Sequence, residues 1–524
     1  PSSSELFPWA RDHLNVEVLA FEPANESADF MASNKAASIV CAKMMGVDIG
    51  NVDFAAFPGM ERRQSTLFED NGRTILEDYA HHPSEIRSFL AERRKKLPEH
   101  WMKVIFQSHR YSRTKAFAQS FAEELSVADE LNFLPTYGAF EDYDAGGDAE
   151  SLAGYLPPRL REESKVFTDF PTFMEESNPR GGNANSEQIL FVGAGNIDGW
   201  AHAFAAINHT KGDRGSAFSY FLTDRLSPSC VLRQGENLAS KTTMRVGGTA
   251  LWYAEPKHTE DLRSLVEASN HFSIPRVMLG RGSNLIIPDE GYDGLVLRLR
   301  GDFWNEISAR SDDSFVVGAG ARLKDICRLA CQRELVGFEF LEGIPGTLGG
   351  ALRMNAGAMG WEIYDLVEWV SFLLPDGSIH EIPGNQLNIG YRYCREAKDG
   401  IALRAKLKAE GKSDHKAIRS AIEELAQKRR ATQPREASAG CIFKNPDKQS
   451  AGWLIENCGM KGERIGSAVV SDVHANFIVN EGGATAEDVS SLMQKGRKRV
   501  NQETQVTLEP EVGLLGKKWE DQLS

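Results

Sequence analysis

The hydrophobic pattern of this chain changes its period once, and no single fold class accommodates both halves. From about Asn71 to Gly195, short apolar runs alternate with segments of helical period. Thr74-Ile75-Leu76, Met102 to Phe106, Leu131 to Leu134, Val166-Phe167 and Ile189 to Val192 read as strands. Pro83 to Lys96 and Ser112 to Leu125 read as helices, the second with Phe117, Phe121 and Leu125 on one face. Such alternation builds a mostly parallel sheet covered by helices. Past His209 the pattern fades, and from Asn237 it becomes short β segments separated by glycine-rich turns. Late in the chain, His415 to Arg430 is an amphipathic helix with Ile418, Ile422 and Leu425 on one face.

The net charge of -14 and pI near 5.5 argue against nucleic acid or an anionic membrane surface as the main partner, while leaving room for local phosphate pockets. Cys41, Cys230, Cys327, Cys331, Cys394, Cys441 and Cys458 are scattered, with no CxxC pair. Cys327 and Cys331, four apart in a helical pattern, read as core. The usage fits a reduced, cytoplasmic protein. No apolar run is long enough to span a bilayer. Pro1 opens the chain without a signal-peptide pattern, so a processed, trimmed or partial chain is expected. Gly181 to Asn185 reads as a flexible loop. His81 and His82 lack a third ligand at suitable spacing, so no metal site is expected.

Two loops carry the chemistry of the second half. Gly280-Arg281-Gly282-Ser283-Asn284-Leu285 follows the apolar Val277-Met278, and Gly343-Ile344-Pro345-Gly346-Thr347-Leu348-Gly349-Gly350 lies further on. Glycine lets backbone approach a ligand closely, and consecutive N–H groups can converge on phosphate oxygens. Neither loop fits a Rossmann GxGxxG or a Walker A motif. From the residues alone, structural turns and a diphosphate cradle both remain open.

These loops sit in an ordered series: Thr243-Met244-Arg245-Val246-Gly247-Gly248, the two loops, Asn355-Ala356-Gly357, Gly390-Tyr391-Arg392-Tyr393, Ala439-Gly440-Cys441-Ile442-Phe443-Lys444-Asn445-Pro446, His474-Ala475-Asn476-Phe477 and Leu508-Glu509-Pro510-Glu511-Val512. The series resembles UDP-N-acetylenolpyruvoylglucosamine reductase (MurB), in its shorter, type II form, over about Asn237 to Gly516. The resemblance implies FAD and NADPH as cofactors and reduction of the enolpyruvyl ether of a UDP-amino sugar in peptidoglycan precursor synthesis. It also implies FAD contacts by Arg245, Val246, Gly247, Gly248, Gly280, Arg281, Gly282, Ser283, Asn284, Leu285, Ile344, Pro345, Gly346, Gly349, Gly350, Asn355 and Ala356, and UDP-sugar contacts by Lys444 and Asn445.

Reduction of that double bond sends charge toward the substrate carboxylate. It therefore needs a cation there, a second group sharing that charge, and a proton donor at the neighbouring carbon. By the resemblance, Arg392 faces the carboxylate and Glu511 is the acidic partner. Cys441 replaces the proton-donating serine of many relatives. A thiol is more acidic than a hydroxyl and still protonated at neutral pH, and sensitivity to alkylating agents is expected of it. Tyr391 reads as packing.

The first half has its own resemblance. Phe57-Pro58-Gly59-Met60-Glu61-Arg62-Arg63, Asp78-Tyr79-Ala80-His81-His82-Pro83, Phe106-Gln107-Ser108-His109-Arg110-Tyr111-Ser112-Arg113-Thr114 and Gly193-Ala194-Gly195 look like the C-terminal domain of UDP-N-acetylmuramate–L-alanine ligase (MurC). Phe30 to Gly46 resembles the tail of its ATP domain. Tyr137-Gly138-Ala139-Phe140-Glu141 departs from the family's Tyr-Pro-Ala-Gly-Glu, and no GxxxxGK[ST] occurs in the chain.

The expected fold is therefore multidomain α/β and α+β. A Rossmann-like ligase C-terminal domain precedes an FAD-binding reductase of the vanillyl-alcohol-oxidase (PCMH-like) type with a small substrate-binding domain. Expected boundaries are 1–53 (ATP-domain remnant), 54–208 (ligase C-terminal domain), 209–235 (linker), 236–410 (FAD region) and 411–524 (substrate-binding domain and tail). The alternative is a non-catalytic scaffold of the cell-wall pathway with a degenerate reductase. Expected partners are a small UDP-sugar and other cell-wall precursor enzymes.

Overall fold

The computed structural model describes residues 41, 62–70, 72–176 and 186–523. The segments Phe30 to Gly46 (apart from Cys41), Phe57 to Glu61 and Gly181 to Asn185 lie outside the described residues. The chain divides into two compact units, Pro1–Phe221 and Leu222–Ser524. No described helix is long and apolar enough to cross a membrane.

The first unit is built on a five-stranded sheet. Ser65–Asp70 pairs antiparallel with Arg73–Asp78; Glu187–Gly193, Trp101–Gln107 and Glu130–Phe133 continue it in parallel. Alternate residues of Trp101–Gln107 explain the layering: Met102, Val104 and Phe106 meet Ile86, Leu90 and Phe121 of the helices Pro83–Lys96 and Tyr111–Leu125. On the other face Phe173, Phe191, Phe204 and Trp200 form an aromatic cluster that includes helix Ile197–His209.

Two strand and helix expectations need correction. Val166 makes only an isolated parallel bridge to Phe133, and Val166-Phe167 is not a strand. Phe117 does not extend the buried face of its helix. Its backbone kinks (φ -117°, ψ 15°), and the ring packs edge-on against His82. Ala118, Phe121, Ala122 and Leu125 carry the core instead. The expected linker 209–235 holds the helix Arg214–Leu222 and most of the strand Val231–Asn237, and the division between units falls inside it.

The second unit is built on three larger sheets, with four two-stranded pairings besides. Val231–Asn237, Thr249–Glu255, Tyr292–Leu297 and Arg276–Met278 form the first, parallel except at its Val231–Asn237 edge. Ile307–Ser311, Ser314–Gly318, Ile401–Lys408, Val367–Leu373 and Ile379–Pro383 form an antiparallel second sheet. Ala437–Ser438, Ile478–Asn480, Ala468–Val470 and Arg464–Ile465 form the third, with helices Ala451–Asn457 and Ala486–Thr504 contributing to its core. Helix His415–Thr432 packs on the turn Glu339–Gly343 and the helix Leu323–Gln332, which carries the buried Cys327 and Cys331. It therefore sits with the second sheet, while the last core begins only at Ala439 and draws in Met244, Val246 and Ile286. A boundary at 411 therefore separates this helix from the core it packs on.

Candidate active site

The two glycine loops touch. Ser283 Oγ donates to the Pro345 carbonyl, and a Cβ on Gly280 would lie 2.9 Å from Thr347 Oγ1. Among the described residues, the N–H groups of Arg281, Gly282, Ser283, Asn284, Gly346 and Thr347 donate to no protein group. Unsatisfied consecutive donors in glycine-rich backbone make an anion nest. A Cβ at Gly346 would meet only Leu323 Cδ1 at 3.7 Å, and at Gly350 only Thr347 Oγ1 at 3.7 Å. Protein packing does not demand glycine at either position, so the bare backbone keeps space open. Asn355, 1% exposed, donates to Glu362 at 2.6 Å and the Gly390 carbonyl at 3.2 Å, but its Oδ1 is buried without a partner. Unsatisfied N–H donors in two touching loops and an orphaned buried acceptor in the same unit fit a large ligand with both phosphate oxygens and N–H donors, as FAD has.

Other residues expected at the cofactor also have packing or hydrogen-bonding duties within the protein. Val246 is core. A Cβ at Gly247 would lie 2.5 Å from Ile287 Cβ, and one at Gly248 2.2 Å from the Asp289 carbonyl, so packing itself requires these glycines. The Gly349 N–H is spent on the Ala319 carbonyl at 2.8 Å. Arg245 (φ +60°) is exposed, and its carbonyl and that of Met244 are held by Asn480. Leu285, Ile344 and Ala356 pack at core edges.

Arg392, Glu511 and Cys441 converge from three parts of the chain. Arg392 lies in the tight turn between Ile389–Gly390 and Tyr393–Cys394, in the left-handed region (φ +54°). The Asn355 bond to the Gly390 carbonyl braces that hairpin. Glu511 is delivered by a short pairing: its N–H donates to the Ile442 carbonyl at 2.8 Å, and the Lys444 N–H to the Glu509 carbonyl at 2.8 Å. Just beyond it, Gly513–Leu514 runs parallel to Leu285–Ile286, and Asn284 donates to the Glu511 carbonyl at 3.3 Å. The end of the first glycine loop thus positions the acidic residue. Arg392 Nε donates to Glu511 Oε1 at 2.8 Å, with both side chains largely shielded. Burial pulls the guanidinium pKa down, but the Glu511 bond and charge more than offset it, and Arg392 stays cationic.

Burial, reinforced by Glu511, pushes the Cys441 thiol up to about 11, against the pull of Arg392 and Arg429. The group is firmly protonated at neutral pH, as a donor must be. The same shift leaves less thiolate at a given pH than a free cysteine has, which slows alkylation without abolishing it. Asn476, 3% exposed, clamps the neighbouring backbone by accepting from the Phe443 N–H at 3.0 Å and donating to its carbonyl at 2.7 Å.

Lys444 makes an exposed ion pair with Glu509 at 3.2 Å, and Asn445 Oδ1 accepts from Ala451 N at 3.0 Å while its amide nitrogen stays available. Tyr391 is not packing. It is 61% exposed, with the Arg392 guanidinium 5.2 Å from its ring centroid. Two further residues were missed, Asn476 and Arg429. Arg429 had a signal: positions 418, 422, 425 and 429 share one helix face, so a cation interrupts an apolar stripe.

In the first unit, His82 Nδ1 caps helix Pro83–Lys96, and His81 faces the Tyr79 carbonyl and Glu85. His109 stacks on Tyr137; its Nδ1 and Arg113 Nη1 are buried without hydrogen bonds. Ala139 (φ +47°) and the fully exposed Phe140 (φ +75°) keep a left-handed loop that favours glycine, where relatives of the resemblance carry Ala-Gly.

Comparison with known proteins places both parts of the chain among cell-wall precursor enzymes. Residues 250–383 match a family described as an FAD binding domain, and residues 433–515 match the UDP-N-acetylenolpyruvoylglucosamine reductase C-terminal domain. The crystal structure of that reductase from Thermus caldophilus is 37% identical and covers 54% of this chain and 99% of its own, with a TM-score of 0.48. A UDP-N-acetylmuramate-alanine ligase structure from Thermotoga maritima is 27% identical, covering 38% of this chain and 41% of its own, with a TM-score of 0.27. The UDP-N-acetylenolpyruvoylglucosamine reductase of Anoxybacillus flavithermus is 38% identical over 290 residues, which are 55% of this chain and 95% of that protein. At that identity over nearly the whole of a relative, the chain belongs to the UDP-N-acetylenolpyruvoylglucosamine reductase family of flavin-dependent oxidoreductases.

Proposed function

We infer that the second unit reduces UDP-N-acetylglucosamine enolpyruvate to UDP-N-acetylmuramate at the expense of NADPH. The observation that carries this reading is the Arg392–Glu511 pair at 2.8 Å, with Cys441 beside it and the unsatisfied N–H groups of the touching loops. The N–H groups of Arg281 to Asn284, Gly346 and Thr347 would hold an FAD diphosphate, and Asn355 Oδ1 would accept from a donor of the cofactor. Bound FAD supplies the hydride, drawn from NADPH. Arg392 offers a fixed fork to the substrate carboxylate. Glu511 orients that fork and shares the charge that builds on the carboxylate side. Cys441 gives its proton to the neighbouring carbon. Lys444 can swing from its exposed partner Glu509 to a phosphate, and the Asn445 amide nitrogen can donate to the same ligand. A degenerate scaffold has no use for a shielded cation and carboxylate held in register by three separate chain segments.

The test is direct. The purified protein is expected to be yellow, to release free FAD on denaturation, and to oxidise one NADPH per enolpyruvyl sugar consumed. FMN, covalent flavin or no flavin in folded protein would count against it, as would NADPH oxidation indifferent to the sugar.

The first unit we read as ligase-derived, on the strength of its sequence motifs and of His109, Arg110 and Arg113 gathered at one sheet end. An ATP-dependent ligase needs a phosphate cradle to make an acyl phosphate, and these 524 residues contain no GxxxxGK[ST]. This chain alone is expected not to couple L-alanine to UDP-N-acetylmuramate. Alanine-dependent ADP release by pure protein would overturn that.

A further inference from the structure

Glu511 stands on a stretch that no helix or strand holds in place. Residues 505–512 join helix Ala486–Thr504 to the short strand Gly513–Leu514, with one isolated bridge from Phe443 to Pro510. The Lys444 and Glu511 N–H groups and the Asn284 amide tie this stretch to the Cys441 segment and to the first glycine loop. Two further side chains fasten it on either side of Glu511 in sequence. Trp519 Nε1 donates to the Val512 carbonyl at 2.6 Å. Arg497, on helix Ala486–Thr504, donates from Nε to the Leu508 carbonyl at 3.2 Å and from Nη1 to the Leu523 carbonyl at 2.6 Å.

These bonds lie in a packed interior. Leu508, Val512, Trp519 and Leu523 are all buried in one hydrophobic cluster. A main-chain carbonyl deprived of its donor there costs free energy, and the segment carrying it shifts to find another. The indole is itself well placed: the Leu515 N–H donates to the Ile286 carbonyl at 3.0 Å, and the Leu523 N–H closes a turn on the Trp519 carbonyl at 2.8 Å. A guanidinium presents its donors in a rigid fork, so Arg497 fixes Leu508 and Leu523 relative to each other.

We propose that Trp519 and Arg497 are positioning residues for Glu511: by fixing the Val512 and Leu508 carbonyls, they hold its carboxylate at 2.8 Å from Arg392 Nε. A group that orients a guanidinium fork has to be held to within about 0.5 Å. Bonded backbone on both flanks achieves that where regular secondary structure is missing. The inference rests on the reading of Glu511 as the partner of Arg392 in substrate reduction.

The test has two arms, both on the holoenzyme. Trp519→Phe removes the donor and keeps a ring in the core. In hydrogen exchange followed by mass spectrometry, the Glu511 and Val512 amides of this variant are expected to exchange about threefold to tenfold faster, while peptides from strand Ile478–Asn480 keep the wild-type rate. In stopped flow, Trp519→Phe is expected to slow reduction of the enolpyruvyl sugar by about tenfold to a hundredfold and to leave flavin reduction by NADPH unchanged. In a Glu511→Gln background the same substitution should cost less than about twofold, because the charge it positions is gone. Should Trp519→Phe not fold, Arg497→Gln, at a partly exposed helix position, is expected to give the same pattern through Leu508. Wild-type exchange at Glu511 and Val512 would overturn the proposal. So would an equal loss of rate with and without the Glu511 carboxylate, which would leave Trp519 as packing. If the wild-type protein does not reduce the enolpyruvyl sugar at all, the functional reading falls, and the exchange arm still decides whether Trp519 fastens Glu511.

Discussion

Cys441→Ala is expected to reduce its flavin with NADPH at the wild-type rate and to lose a factor of about 10²–10⁴ in the subsequent reduction of the enolpyruvyl sugar. The asymmetry follows from when the proton is needed. NADPH oxidation draws nothing from Cys441, whereas completing the substrate requires a new C–H bond at the carbon beside the reduced one. The thiol is well suited to that duty at neutral pH, because burial holds its pKa up at about 11 and keeps it protonated. The sign gives a second expectation: the substrate half-reaction should hold up through mildly alkaline pH and fail as pH rises toward that value, where the donor loses its proton. Cys441→Ser should retain substantial activity and lose this alkaline limb, since a hydroxyl does not ionise there. Stopped-flow measurement of the two half-reactions separates the outcomes. Wild-type substrate reduction in Cys441→Ala, or damage confined to the NADPH step, would leave Cys441 as a packed side chain.

The convergence of Arg392, Cys441 and Glu511 was legible because each lies in a short motif whose order along the chain survives. What the motifs could not convey was which glycine the protein's own packing requires and which it leaves open. Gly247 and Gly346 look alike in sequence, yet a Cβ at the first would strike Ile287 at 2.5 Å and at the second would touch only Leu323 Cδ1 at 3.7 Å. That distinction depends on residues far away in sequence. The same limit applies to Gly349, whose N–H is consumed by Ala319, and to Tyr391, whose exposure depends on the neighbouring turn. Phe117 failed for a local reason, since helical period assumes an unkinked helix. The 209–235 region failed because weak periodicity marks a short helix and an exposed edge strand as readily as a linker. Arg429 was legible in principle, as a charge on an apolar face, but a helix end near solvent usually carries such a charge for solubility alone.

The difference between those glycines yields the other large expected effect. Gly346→Leu should fold normally and lose flavin. The position has no left-handed backbone to strain, and the nearest protein atom leaves room for a side chain. The added atoms would occupy the approach to the free N–H groups of Gly346 and Thr347, which we propose hold the cofactor's phosphate. Overfilling a well-fitted site costs about 1–3 kcal/mol, so retention should weaken by about tenfold to a hundredfold. Gly247→Leu is the contrasting case. Its backbone is left-handed (φ +114°) and its Cβ would overlap Ile287, so instability of the fold, not selective flavin loss, is expected. The readouts are flavin-to-protein absorbance after dialysis and thermal unfolding of the stripped protein, compared across both variants. Stoichiometric flavin in Gly346→Leu would remove the diphosphate from the second loop. Flavin loss accompanied by a collapse in the unfolding temperature would show that Gly346 serves the fold after all.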